Sequence, residues 1–151
     1  MIELYKWVER QWLDIPFFHC DFDKFGSNRG GSGIYLTSKT RIDFRGTYMT
    51  PDGIFSIIDD NYNESYFVLE YFADRDNKRI MKKLDVHANA MVFRAIHEKY
   101  GWPKDKSYKV LSFFRYKASM LAVQEKLKLN PAYQSVADYF LFKSIEELAQ
   151  E

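Results

Sequence analysis

Two β-forming runs, residues 54–58 (IFSII) and 66–72 (YFVLEYF), flank the turn-rich segment DDNYNES, and the chain's longest helical pattern starts at Asn77. A hairpin delivered directly into a helix constrains the fold more than any other feature of this sequence. From Asn77 to Tyr100, Ile80, Leu84, Ala88, Met91 and Ala95 recur at the 3.6-residue period of one helical face, and Gly101 and Pro103 close the element. Tyr108 to Phe114 (YKVLSFF) then reads as a buried strand, Lys117 to Leu129 as a helix stopped by Pro131, and Tyr139 to Lys143 as a last strand. Ser144 stands three residues before Glu147, the spacing of a capping box for a short final helix. Strands alternating with helices after an initial meander imply a mixed central β-sheet flanked by helices, an α/β fold.

Upstream of the hairpin the pattern is weaker. Leu4, Tyr5, Val8, Trp12 and Leu13 fall at helical spacing within residues 2–13, which predicts an amphipathic first helix ended by Pro16. Residues 23–33 (DKFGSNRGGSG) hold four of the seven glycines and no apolar period, and read as a loop. Residues 34–36 and 41–48 suggest one or two short strands. At 151 residues the chain reads as a single domain, residues 1–151, and its thirteen Phe, eleven Tyr and three Trp supply a large burial energy for one core.

Charge is partitioned about the hairpin in a way that the net value of +1 conceals. From Pro51 to Asp74 there are six acidic residues and no Lys or Arg; from Arg75 to Lys117 there are twelve Lys or Arg against four acids. A carboxylate-bearing hairpin beside a cationic helix is the layout that a metal site next to a phosphate-binding surface needs. Cys20 is the only cysteine, which excludes an internal disulfide and fits a reducing cytosol. The N-terminal residues lack the apolar run of a signal peptide, and no stretch approaches the roughly 20 apolar residues of a membrane span. The expectation is a cytoplasmic protein with no membrane partner.

Within the hairpin, a symmetric turn through residues 59–65 pairs Ile58 with Tyr66, Ser56 with Val68 and Ile54 with Glu70. Strand side chains alternate with period two, so Asp52 and Glu70 then share one face, a diagonal step apart. Two carboxylates that close repel unless a cation lies between them, and a hard divalent ion such as Mg2+ or Mn2+ would satisfy them. Each residue also has a plainer reading. Thr50-Pro51-Asp52-Gly53 is a favourable β-turn sequence, Glu70 would be tolerated on an edge strand or beside a Lys or Arg, and Arg75, Lys78, Arg79, Lys82 and Lys83 could form a solvated helix face. His19, His87 and His97 are too scattered to make a zinc site with Cys20, and read as structural or surface residues.

The run PDGIF (51–55), FVLEYF (67–72) with Glu70, KKL (82–84), KVLSFF followed by Arg115, and YFLFKSIEEL (139–148) resembles the PD-(D/E)xK nuclease-like superfamily, whose core is αβββαβ. More narrowly it is similar to the replication-relaxation proteins of plasmids and integrative elements. The resemblance spans residues 48–148 and rests on order and spacing. It implies a restriction-endonuclease-like fold, DNA as partner, Mg2+ or Mn2+ held by Asp52 and Glu70, and a catalytic lysine. Arg75, Lys78, Arg79, Lys82 and Arg115 would then contact nucleic acid. The superfamily's lysine would fall at position 72, which here is Phe72; a lysine from the following helix, Lys83 or Lys82, is the replacement the resemblance implies. Glu9 is the acid that a first helix would add. The winged-helix part expected of the narrower family has no counterpart in residues 1–50. Two functions follow: a metal-dependent DNA phosphodiesterase linked to mobile-element replication or transfer, or a catalytically inactive DNA- or protein-binding module of the same fold.

Overall fold

The structure, a computed structural model, describes residues 14–20, 24–28 and 34–148. The helix expected over residues 2–13, with Glu9, lies outside them. Five strands form the central sheet in the order β1 (Asp14–Cys20), β6 (Gly53–Ile58), β7 (Glu64–Phe72), β8 (Tyr108–Phe114) and β9 (Phe140–Ser144). The first three pair antiparallel, and β7–β8 and β8–β9 pair parallel, so the sheet is mixed as the alternation of strands and helices implies. Two small hairpins precede β6: β2 (Lys24–Asn28) with β3 (Ile34–Ser38), and β4 (Ile42–Phe44) with β5 (Thr47–Met49). In the second, Arg45 and Gly46 have φ of 47° and 78°, the positive pair that a two-residue type I′ turn demands.

Helix α1 (Asn77–Val92) connects β7 to the parallel strand β8. It starts where it does because the Asp76 side chain accepts the backbone N–H of Arg79, satisfying one of the donors left free at a helix N-terminus. Its residues Ile80, Leu84, Ala88 and Met91 join Ile54, Val68, Phe72, Val110, Phe114 and Phe140 in one buried cluster. These sheet residues share register parity, so one face of the sheet carries the core that α1 covers. Phe55 and Leu69 are buried on the other face, where Phe55 stacks on Phe67 at 5.1 Å. Helices α3 (Lys117–Leu127) and α4 (Pro131–Val136) complete the crossover from β8 to β9, and α5 (Ile145–Leu148) follows.

Five expectations are corrected, the first being the helix stop at Pro131, which is instead the first residue of α4, while α3 ends at Leu127. The pattern over 77–100 is two helices, because Arg94 adopts the left-handed conformation at φ 56° and separates α1 from α2 (Ala95–Tyr100). A non-glycine residue there costs about 1 kcal/mol. Gly101 does end α2 in the left-handed conformation that its position predicts. The glycine-rich segment expected as a loop contributes strand β2. Residues 14–20, expected to end a helix at Pro16, are a strand whose register shifts between Asp14 and Phe17; the irregularity encloses Pro16, which has no N–H to give a ladder. The hairpin register also differs. Ile58 pairs with Glu64, Ser56 with Tyr66 and Ile54 with Val68, because the turn closes through Asp59 to Asn63 and β7 begins two residues earlier than expected. Asp59 organises that tighter turn: its side chain accepts the N–H groups of Asn61 and Asn63. The slip is an even number of residues, so the faces are unchanged.

Candidate carboxylate site

Asp52 stands immediately before β6, and the residue ahead of it is anchored from outside the sheet. Thr40 Oγ1 donates to the Pro51 carbonyl oxygen at 2.7 Å, and the buried hydroxyls of Ser38 and Thr40 lie 3.0 Å apart. Asp52 reaches across the hairpin, where its Oδ2 accepts the Tyr71 backbone N–H at 2.6 Å. Continuing the β6–β7 register one pair past Gly53 and Leu69 sets Asp52 directly opposite Glu70. Each carboxyl group lies within the field of the other. Burial first, and the Glu70 charge second, push the Asp52 carboxyl up to about 6, against the opposing pull of the Lys83 ammonium and the Tyr71 N–H.

Glu70 is completely enclosed, and α1 supplies its partners. Lys83 Nζ lies 2.7 Å from Oε2, and His87 Nε2 lies 2.7 Å from Oε1. Lys83 and His87 are four residues apart, one turn of helix, and so reach the same strand residue. Together with Ile80, Leu84, Ala88 and Met91 they fall at i+3 and i+7 of one apolar stripe. A lysine and a histidine at stripe positions are the legible sign of a buried acid opposite; of the two readings of His87, structural or surface, the structure shows the structural one. His87 is as enclosed as Glu70, and Lys83 keeps only 24% of its side-chain exposure. Ser112, the register partner of Glu70 on β8, is also buried. Among the described residues its Oγ and the Nδ1 of His87 have no hydrogen-bond partner.

The structure therefore brings together Asp52, Glu70 and Lys83, and adds His87. Lys82 is exposed on α1, as is Lys78. Arg79 forms an ion pair with Asp74. Arg75 and Arg115 converge on one ring instead, their guanidinium carbons 4.1 and 5.5 Å from the Tyr116 centroid. Arg115 donates its backbone N–H to Phe72 O at 2.9 Å, so this cationic stack lies at the end of the strand that carries Glu70. His97 belongs elsewhere, with Nε2 on the Lys106 carbonyl oxygen and its ring against Trp102 and Tyr108.

Among the described residues no group of three or more His, Cys, Asp or Glu is arranged to hold a metal ion. Asp52 and Glu70 are a two-carboxylate pair, a donor set that suits a hard ion retaining several waters and does not suit tetrahedral zinc. Ser112 Oγ, buried opposite Glu70 with no hydrogen-bond partner among the described residues, is a further oxygen beside that pair. A surface groove lined by Arg41, Phe44, Arg45, Phe93 and Lys99 contains neither carboxylate. Among the described residues no helix is long and apolar enough to cross a membrane. Comparison of the chain with protein-family models, with curated proteins and with solved structures gives no match.

Proposed function

We propose that the chain is a nucleic-acid-binding protein on the restriction-endonuclease-like αβββαβ core, with Asp52, Glu70 and Lys83 as a divalent-metal-dependent phosphodiesterase centre acting on DNA. The observation that carries this reading is the meeting of two carboxylates, one just ahead of β6 and one on β7, with one lysine from the next helix. In this scheme β1, β6, β7, α1 and β8 supply the βββαβ part of the core, and Lys83 replaces the lysine absent at position 72, where Phe72 is buried in the hydrophobic cluster. Asp52 and Glu70 would hold Mg2+ or Mn2+, which when bound supplies a Lewis acid for a phosphoryl oxygen and a water of lowered pKa. Lys83 sets a positive charge beside them for the phosphate. Arg75 and Arg115 contact the DNA backbone without reading bases. The replication-relaxation resemblance extends the proposal to mobile-element replication or transfer.

A second reading has its own support. Glu70 already has one oxygen on Lys83 and the other on His87, as in a core ion pair that binds no metal, which fits an inactive DNA- or protein-binding module. Incubating DNA with the protein and Mg2+ or Mn2+ separates the two. Cation-dependent cleavage that is lost in Asp52→Asn, with DNA affinity retained, supports the enzyme; salt-dependent binding without cleavage supports the module.

The stack at Tyr116 makes a separate prediction. Arg75→Ala with Arg115→Ala is expected to weaken DNA binding for all sequences alike and to reduce the slope of log affinity against log salt by about two, one for each phosphate that an arginine no longer neutralises. An unchanged slope in a filter-binding or fluorescence titration would remove these arginines from the DNA surface.

A further inference from the structure

We propose that His87 is the positioning residue of this centre: by holding Oε1 of Glu70 it leaves Oε2 as the one oxygen Glu70 can offer a cation, which favours Mg2+ over Ca2+. The inference rests on the reading of Asp52 and Glu70 as a cation site and adds to it the selectivity of that site.

The two partners of Glu70 are not equivalent. Lys83 is an unbranched, partly exposed side chain 2.7 Å from Oε2 and can withdraw toward solvent when a cation arrives. His87 is a rigid ring with no exposure, 2.7 Å from Oε1, and has nowhere to withdraw. Its hydrogen placement follows from its surroundings. Nδ1 is buried and has no hydrogen-bond partner among the described residues, so a hydrogen there would have no acceptor. The hydrogen on Nε2 instead donates to Oε1. The enclosed ring takes a lone pair of Oε1 and crowds that oxygen, which leaves Oε2 the freer ligand. Ca2+ takes six to eight oxygens and commonly grips a carboxylate by both, whereas Mg2+ keeps a tight octahedron with one oxygen from each carboxylate and waters in the remaining positions. A hydrogen-bonded Oε1 therefore costs calcium a ligand and costs magnesium none.

The test is calorimetric titration of the full chain with MgCl2 and with CaCl2, in wild type, His87→Gln and His87→Asn. The Gln amide nitrogen can replace Nε2, while the shorter Asn side chain cannot reach Oε1. Wild type and His87→Gln are expected to share one Mg2+-to-Ca2+ affinity ratio. His87→Asn is expected to shift that ratio toward Ca2+ by about tenfold or more, the usual effect of losing a residue that orients a metal ligand. A merely structural histidine would change stability and leave the ratio alone, so a folded His87→Asn protein with an unchanged ratio overturns the proposal. Wild type that binds neither ion rejects the cation site and the role of His87 with it; binding with unchanged selectivity rejects His87 alone.

Discussion

Lys83→Met is expected to destabilise the metal-free protein by about 2–4 kcal/mol near neutral pH, because removing one member of a buried ion pair leaves the other charge uncompensated. Glu70 has no solvent contact to fall back on, and His87 alone would face it. Mg2+ or Mn2+ at saturating concentration should then restore more stability to the variant than it adds to wild type. In wild type the cation must displace the ammonium from Oε2; in the variant it meets a bare carboxylate pair. Ligand that binds only the folded state stabilises it in proportion to the logarithm of its concentration over Kd, so urea unfolding with and without the cation measures the difference. DNA cleavage should be lost in the same variant even as cation affinity rises. A variant that is destabilised but gains nothing from either cation would identify the cluster as a plain core ion pair.

Asp52→Asn is expected to act in the opposite sense on stability. The Asp52 carboxyl is raised from its ordinary 3.8 to about 6, so the native state binds its proton more tightly than the unfolded chain does. The stabilisation from that proton is complete below about pH 4 and disappears as pH rises through about 6. Above that, ionised Asp52 opposes folding by about 1–2 kcal/mol, after allowance for its partial exposure to solvent. Asn keeps an oxygen for the Tyr71 N–H and offers Glu70 an amide hydrogen in place of a negative charge. At pH 8 the metal-free variant should unfold at a higher temperature than wild type, at pH 4 the two should agree, and the variant should lose cation binding. Equal Tm values at both pH values would mean that neither burial nor the Glu70 charge raises the Asp52 carboxyl in the folded protein.

Much of the sheet was legible because its signals are local. The β8 run YKVLSFF needs no distant information to read as a strand, and it is one over the predicted residues. The shared face of Asp52 and Glu70 depended only on the parity of their separation, and so it survived a turn two residues tighter than expected. What was not legible depended on partners far along the chain. Nothing near Arg94 forecasts a left-handed residue between α1 and α2, since arginine has no preference for it. Pro131 was read as a stop alone, but Asn130 caps through its side chain to the Ala132 N–H, and Pro131 is the first residue of α4. That pairing of Asn with a following Pro is a helix start in the sequence itself. For Glu70 the strand showed a carboxylate among apolar neighbours, but which cation would meet it depended on how α1 rotates against β7. Only the packed helix distinguishes inward Lys83 from outward Lys82.

The position of β7 in the sheet bears on the order in which the protein folds. Its partner on one side, β6, is reached through a short turn, whereas its partner on the other, β8, must wait for α1 and the segments after it. Contacts close in sequence form at lower entropic cost, so the hairpin belongs to the early structure and the parallel half to the late. Asp52 and Glu70 then come face to face on the hairpin before the helix arrives with Lys83 and His87. If the hairpin forms first, the two like charges are held together before Lys83 and His87 arrive to offset them. Acid or a divalent ion, by neutralising the pair at that moment, should quicken refolding more than it slows unfolding, and stopped-flow rates at pH 5 and pH 8 would register the asymmetry.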